Sequence, residues 1–193
     1  MYHQKAIVKM SGLIDHYFCD RVVDYLRFED LQPMKIFGDR IKENTRNVLG
    51  TTCSFDQAIK DISNEDMTKY VLYKHLLKKL ELVLLNYQVM FKNFTYQNVV
   101  QSDFLKYNEG GKYEVHVDGS GNVHRILSII LNLNDEYEGG EFQFFNPQDN
   151  KEIIREEKLK KGEVLCFPSN FMYPHSVRPI TKGNRYSIVS WTI

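Results

Sequence analysis

The sequence predicts a mainly β fold in which helices come first and a double-sheet β core follows. From residue 99 onward, short runs of β-branched and aromatic residues alternate with turns rich in Gly, Asn and Pro. Before that point, apolar residues recur at three-to-four-residue spacing, which is typical of amphipathic helices. Closely spaced strands without intervening helices favour an antiparallel sandwich or barrel. We therefore expect residues 1–98 to form a helical support and residues 99–193 to form the β core.

The first helix is predicted from Asp15 to Leu26. Asp15 is a suitable N-cap, because its carboxylate can accept a hydrogen bond from a backbone N–H of the first turn. The residues that then form one apolar face are Tyr17, Phe18, Val22, Val23 and Leu26.

A longer helix is predicted from Ser63 to about Phe91. Ser63 is the expected cap, with Asp66 three residues on as a short-armed version of the capping box. One stripe of apolar residues follows, at Leu72, Leu76, Leu80, Val83, Leu84 and Tyr87. A stripe of this kind indicates a helix face that packs on the core.

The segment between the two helices, residues 33–62, is polar and weakly periodic. It predicts a loop with short strands. Because long loops in compact domains are often lids or binding segments, we expect this variable segment to have one of those roles.

Seven strands are predicted in the second half of the chain. They are expected at 104–107, 113–117, 126–133, 142–145, 164–167, 173–177 and 186–193. Turns are expected between them, at 109–111, 119–122, 139–140 and 182–184.

The composition predicts a single domain, residues 1–193, with no affinity for nucleic acid or membranes. The chain has 25 Lys+Arg and 25 Asp+Glu, so its formal net charge is zero. Binding to nucleic acid or to an anionic membrane depends on a surplus of Lys and Arg that this chain lacks. Its length is enough to bury a core without disulfides or structural metals.

The cysteines predict a cytoplasmic protein. Cys19, Cys53 and Cys166 are odd in number and show no Cys-x-x-Cys spacing, so we expect three reduced thiols. The first ten residues lack the apolar core of a signal peptide, and the longest mostly apolar run, residues 126–133, is far shorter than a membrane span.

A candidate metal site begins with His116 and Asp118. Side chains two apart on a strand project from the same face, so an imidazole and a carboxylate lie together there. This pair favours a borderline divalent ion such as Fe(II), Mn(II), Co(II) or Zn(II), although a solvated strand edge would look the same. His175, near the edge of a later apolar run, supplies a third ligand. Two His and one carboxylate leave coordination positions open, as in non-haem Fe(II) oxygenases.

Arg185 follows His175 on the next predicted strand. Its planar guanidinium can bind a carboxylate through two hydrogen bonds, which a lysine cannot do. The four residues together therefore indicate a dicarboxylate ligand near a metal ion. Ser187 lies two residues beyond Arg185 on the same face and is a candidate to assist Arg185 in binding that ligand.

From Phe104 to its end, the chain resembles the Fe(II)/2-oxoglutarate-dependent dioxygenases, and among them the prolyl 4-hydroxylase group. The similar segments, in family-like order, are 105–111, 125–128, 131–134, 139–141, 161–163, 167–169 and 182–187, followed by Trp191. The resemblance implies a double-stranded β-helix (jelly roll) with the N-terminal helices packed on one sheet. Trp191 is expected to pack in the core.

The resemblance also implies roles for individual residues. His116, Asp118 and His175 match the metal triad, and Arg185 matches the basic residue that pairs with the distal carboxylate of 2-oxoglutarate. Tyr107 matches a tyrosine whose hydroxyl reaches that carboxylate.

Three further positions bear on substrate and cosubstrate. Arg125 matches a substrate-side arginine of the prolyl hydroxylases. Asn132 stands where many relatives carry a tyrosine, and Phe142 where many carry a threonine. Both departures border the cosubstrate pocket.

The activity implied is hydroxylation of a C–H bond coupled to decarboxylation of 2-oxoglutarate to succinate, with Fe(II), O2 and ascorbate as a possible addition. A peptide or protein substrate, possibly proline-containing, is the first expectation. A free amino acid or another small molecule is the alternative. Nucleobase demethylation ranks low because Trp191 stands where those relatives carry a second arginine. A non-catalytic β-helix binding module is a further alternative, and the oligomeric state is open.

Overall fold

Two antiparallel β-sheets pack against each other in the computed structural model, which describes residues 2–35, 44–54, 67–119 and 124–193. The larger sheet has, in spatial order, β1 (Val8–Met10), β11 (Val164–Pro168), β7 (Leu127–Asn132), β14 (Arg185–Thr192), β5 (Val99–Tyr107), β4 (Leu49–Ser54) and β2 (Gln32–Pro33). The smaller sheet has β10 (Ile153–Glu157), β9 (Phe142–Phe145), β12 (His175–Val177), β6 (Lys112–His116) and β3 (Arg46–Asn47). A separate two-stranded antiparallel sheet pairs β8 (Tyr137–Gly139) with β13 (Ile180–Gly183).

The inner faces of the two sheets share one apolar cluster. It draws Leu105, Ile130, Leu165 and Phe167 from the larger sheet and Phe142, Phe144 and Val177 from the smaller one. The outer face of the larger sheet is covered instead by the helices, through a second cluster. The predicted class, a mainly β core with helices on one sheet, is confirmed.

Helix α1 (His16–Phe28) begins at the predicted cap. The backbone N–H of Phe18 donates to the Asp15 carboxylate at 2.8 Å. The predicted apolar side chains are buried except Tyr17, which is exposed. A short 3-10 helix (Tyr2–Ala6) precedes β1.

Helix α2 (Met67–Met90) buries the predicted stripe from Leu72 to Tyr87 against the outer face of the larger sheet. The predicted cap residues, Ser63 and Asp66, lie outside the described residues. Within those residues, neither helix is long and apolar enough to cross a membrane.

The structure contains strands that the sequence pattern did not indicate. All seven predicted runs contain a strand, but β8, β10 and β13 were missed. Each is short or mostly polar, and Lys182-Gly183, predicted as part of a turn, ends β13. Short strands were expected in the variable segment, and β3 and β4 lie there.

Candidate active site

His116, Asp118 and His175 come together at one end of the smaller sheet. His116 ends β6 and His175 begins β12, and these two residues are direct partners in the antiparallel register. Asp118 lies two residues beyond the end of β6. One ligand atom from each of the three residues lies within 4.8 Å of the others.

Both imidazoles present Nε2 to the centre of this cluster. The Nδ1 atom of His116 lies 2.8 Å from the Glu114 carbonyl oxygen, and that of His175 lies 2.9 Å from the Tyr173 carbonyl oxygen. Because a carbonyl only accepts, each Nδ1 must carry the proton, which leaves the Nε2 lone pair free. Two imidazoles that present Nε2 and one carboxylate are a donor set that fits Fe(II).

The Asp118 carboxylate is held by two buried serines. Ser128 Oγ donates to Asp118 Oδ2 at 2.6 Å, and its own oxygen lies 2.8 Å from Ser169 Oγ. Since Ser128 has one proton, Ser169 must be the donor of the second bond. Burial alone would raise the pKa of Asp118, but the two imidazoles and Ser128 hold it well below its usual range.

His175 lies among aromatic rings. The Phe142 ring is nearly parallel to the imidazole, with centroids 5.1 Å apart, and Phe167 approaches it edge-on. Burial lowers the pKa of His175 to about 4, with help from the neighbouring His116. The imidazole is therefore neutral at pH 7. The unusual Phe142 forms part of the apolar wall behind a candidate ligand.

Arg185 is buried on the inner face of the larger sheet, at the start of β14. Its side chain is 2% exposed, yet none of the described carboxylates forms an ion pair with it. Tyr107 is its register partner on β5, and the guanidinium carbon lies 5.2 Å from the Tyr107 ring centroid. Burial raises the pKa of the Tyr107 hydroxyl, and the Arg185 charge opposes that rise.

Asn132 is the residue that bonds Arg185. Its side-chain oxygen accepts from Arg185 Nε at 3.2 Å and from the Tyr137 hydroxyl at 3.1 Å. The departure at this position therefore lies beside Arg185. Ser187 lies across the strand pairing from Asn132, and its buried hydroxyl has no hydrogen-bond partner among the described residues.

A cleft of about 570 Å³ opens beside His116 and Asp118. Arg125 lies in it, with its guanidinium carbon 3.6 Å from the Trp191 ring centroid and Nη1 3.4 Å from the Asp118 carbonyl oxygen. Trp191 is buried, as expected. Its ring supports Arg125 and lines the cleft.

Sequence reasoning missed Arg46 and Asp103, which line the same cleft. Arg46 Nη2 lies 3.5 Å from Asp103 Oδ2, and its guanidinium stands over the Tyr113 ring at 4.9 Å. Arg46 belongs to the weakly periodic segment, so no pattern marked it. Asp103 could have been recognised from the sequence, because it is a carboxylate on a buried strand.

Comparison with known proteins supports one family. The model of the 2OG-Fe(II) oxygenase superfamily matches residues 102–193. Prolyl 3-hydroxylase 2 of Homo sapiens is 39% identical over 67 residues, which cover 35% of this chain and 9% of that protein. A PKHD-type hydroxylase of Stenotrophomonas maltophilia is 34% identical over 97 residues, which cover 46% of this chain and 40% of that protein. The chain spans less than half the length of these two relatives.

Solved structures show the same fold across nearly the whole chain. A Trichoplax adhaerens prolyl hydroxylase in complex with a hypoxia inducible factor peptide matches with TM-score 0.77 and 14% identity, covering 97% of this chain and 83% of that one. A Pseudomonas putida prolyl-4-hydroxylase matches with TM-score 0.72 and 18% identity, covering 97% and 92%. The expected jelly roll is confirmed.

Over residues 102–193, the chain resembles the 2OG-Fe(II) oxygenase superfamily and, within it, the prolyl 4-hydroxylase-like group. Members of this superfamily use Fe(II), 2-oxoglutarate and O2.

Proposed function

We propose that this chain is an Fe(II)- and 2-oxoglutarate-dependent hydroxylase, organised as one catalytic domain over residues 1–193. The observation that carries the proposal is Arg185, a buried guanidinium without a carboxylate partner among the described residues, inside the sheets that hold the His–Asp–His cluster. An unpaired buried charge costs several kcal/mol, on the order of the penalty for a lost ion-pair partner. A bound anion removes that cost.

In this proposal, His116, Asp118 and His175 hold Fe(II) through Nε2, a carboxylate oxygen and Nε2. When bound, the metal with 2-oxoglutarate and O2 supplies an oxidative decarboxylation that yields succinate, CO2 and one hydroxyl group on the substrate carbon. The backbone carbonyls at Glu114 and Tyr173 keep both imidazoles in the tautomer that binds metal.

The proposed anchor for the distal carboxylate of 2-oxoglutarate consists of Arg185, Tyr107 and Ser187. The guanidinium offers a charged donor fork, and the two hydroxyls are further donors. The unpartnered Ser187 hydroxyl supports this assignment, because a buried hydroxyl is normally hydrogen-bonded. The surrounding aromatic wall excludes water and strengthens the ion pair.

The cleft on the other side of the metal ligands is proposed to take a peptide segment. Arg125 and Arg46 offer donors suited to carbonyl oxygens, and Trp191 offers an apolar surface. The similar structure from Trichoplax adhaerens holds a peptide, and one of the similar proteins is a prolyl 3-hydroxylase by name. We therefore propose a proline-containing peptide as the substrate class, with ascorbate as an aid to turnover.

The test is succinate formation from 2-oxoglutarate with Fe(II), O2 and ascorbate, in the presence of proline-rich peptides or free proline. We expect peptide-stimulated turnover in the wild type and a loss of at least about 100-fold in His116→Ala and in Arg185→Met. His16→Ala, an exposed histidine on α1, is the control and should retain full activity. Stimulation by free proline alone would replace the peptide with a small molecule, and tight metal binding without any turnover would overturn the proposal.

A further inference from the structure

We infer that Asn132 and Tyr137 are positioning residues that hold the Arg185 guanidinium in the orientation required by the distal carboxylate of the cosubstrate. This inference rests on the proposed function, because it takes Arg185 as the anchor. It is carried by one hydrogen-bond network that joins β7, β8 and β14.

The orientation of the Asn132 amide is fixed by four hydrogen bonds. Its Nδ2 donates to the Asn134 carbonyl at 2.7 Å and to the Leu159 carbonyl at 3.0 Å. Only the nitrogen can make these two bonds, so Oδ1 must face Arg185 and Tyr137. Every donor and acceptor position of this fully buried amide is then used.

The bond to Arg185 engages Nε, the atom that sets the plane of the guanidinium. Because the group is planar, fixing Nε on Asn132 Oδ1 also fixes the directions in which Nη1 and Nη2 point. A long arginine side chain otherwise loses rotamer freedom when it binds a ligand. The network removes that freedom before the ligand arrives.

Tyr137, on β8, binds the same side-chain oxygen of Asn132. Its hydroxyl donates to Asn132 Oδ1, and its ring lies under Lys158, whose Nζ is 4.0 Å from the ring centroid. On another side, a Cβ added at Gly140 would meet both the Tyr137 ring and Arg185 Cδ at 3.2 Å. The ring is therefore packed closely enough to restrain its hydroxyl.

The chain offers control positions that lose a buried hydrogen bond away from Arg185. Ser102 is a fully buried residue on β5 whose hydroxyl forms a hydrogen bond with that of Ser190. Tyr87 is a buried tyrosine on α2 whose hydroxyl donates to the Ala6 carbonyl, far from the site. Ser102→Ala and Tyr87→Phe thus lose buried hydrogen bonds without touching Arg185 or its neighbours in the chain.

The experiment measures equilibrium binding of two ligands to the Mn(II)-loaded protein. One ligand is 2-oxoglutarate, and the other is 2-oxopentanoate, which has the same chain length but a methyl group in place of the distal carboxylate. We expect Tyr137→Phe to weaken 2-oxoglutarate binding about fivefold and Asn132→Ala about thirtyfold. Binding of 2-oxopentanoate and of Mn(II) should be unchanged, and both control variants should bind 2-oxoglutarate like the wild type.

The outcomes separate this inference from the function on which it rests. A wild type that does not prefer 2-oxoglutarate over 2-oxopentanoate would overturn Arg185 as the anchor, and the inference with it. A wild type that shows the preference, with Arg185→Met losing it and Tyr137→Phe and Asn132→Ala retaining it, would overturn the inference alone. Equal losses for both ligands would assign these residues a structural role. If Asn132→Ala does not fold, Tyr137→Phe decides.

Discussion

Ser128, on β7, forms a hydrogen bond with Asp118, one of the three candidate metal ligands. It donates a short hydrogen bond to Asp118 and accepts one from Ser169, and both serines are fully buried. Such a donor selects which carboxylate oxygen is left for the metal and fixes the plane of the carboxylate. Preorganisation of a ligand by its hydrogen-bonded neighbours raises metal affinity.

We therefore expect Ser128→Ala to weaken Mn(II) or Fe(II) binding by about 10- to 100-fold, the range typical for loss of such a partner. Titration of the metal-free protein with Mn(II) measures this affinity. Ser102→Ala is the matched control, because Ser102 also forms a buried serine–serine hydrogen bond, with Ser190, but does not contact a ligand. Equal affinities in the two variants would contradict a role for Ser128 in holding Asp118.

At this scale, the sequence was sufficient for residues whose partners are set by regular geometry. His116 and Asp118 were paired in the sequence by the two-residue spacing of a strand, and the structure brings them together although β6 ends at His116. Ser128, Asn132 and Tyr137 were not predicted as a supporting network, since their hydrogen bonds join residues on different strands. Only the folded register brings such residues together.

The turn between β8 and β9 contains two consecutive glycines, which pack against β13. Gly139 and Gly140 have φ angles of 77° and 69°, a region that other residues adopt at a cost. A Cβ at Gly140 would also lie 2.6 Å from Ile180 Cδ1. This turn therefore needs glycine both for its backbone conformation and for the close approach of Ile180.

Replacement of Gly140 by alanine is expected to lower the free energy of unfolding by about 2–4 kcal/mol, through left-handed strain and overpacking together. It should also weaken 2-oxoglutarate binding, because the new methyl group contacts Arg185 and Tyr137. Gly12→Ala separates the two effects, since Gly12 has φ 77° and open space around it. Chemical denaturation measures both variants, and equal losses would show that packing at Gly140 is unimportant.

The helices and strands that were predicted are those whose apolar residues form a clear pattern along the sequence. Helix α2 has its stripe and β7 its apolar run, so local pattern and tertiary burial agree. Strand β10, with the sequence IIREE, and strand β13, with ITKG, carry too few apolar residues to be distinguished from loops. Their pairing comes from neighbouring strands rather than from their own sequence.

The buried ligand cluster makes the stability of the metal-free protein depend on pH. His175 has its pKa lowered from the ordinary value of 6.5 to about 4. Between these values the unfolded chain binds a proton that the folded protein does not, so stability falls as the pH falls. Asp118, whose pKa is also lowered, contributes stability that is lost at still lower pH.

We expect the metal-free protein to lose about 3 kcal/mol of stability between pH 6.5 and pH 4 through His175. Denaturation at a series of pH values measures this loss. His175→Gln should remove most of the slope, whereas His16→Gln, at an exposed position, should retain it. A wild-type curve that stays flat over this range would contradict the burial of a neutral imidazole.

Strand β14 lies between β5 and β7 in the larger sheet, although it follows both in the sequence. During synthesis, β5 and β7 therefore leave the ribosome without the strand that will join them. His116, Asp118 and His175 also emerge before Arg185. The nascent chain thus carries its metal ligands before its carboxylate anchor, and the two halves of the sheet remain separate until residue 192 has been added. A chaperone that shields these unpaired strand edges would act in that interval.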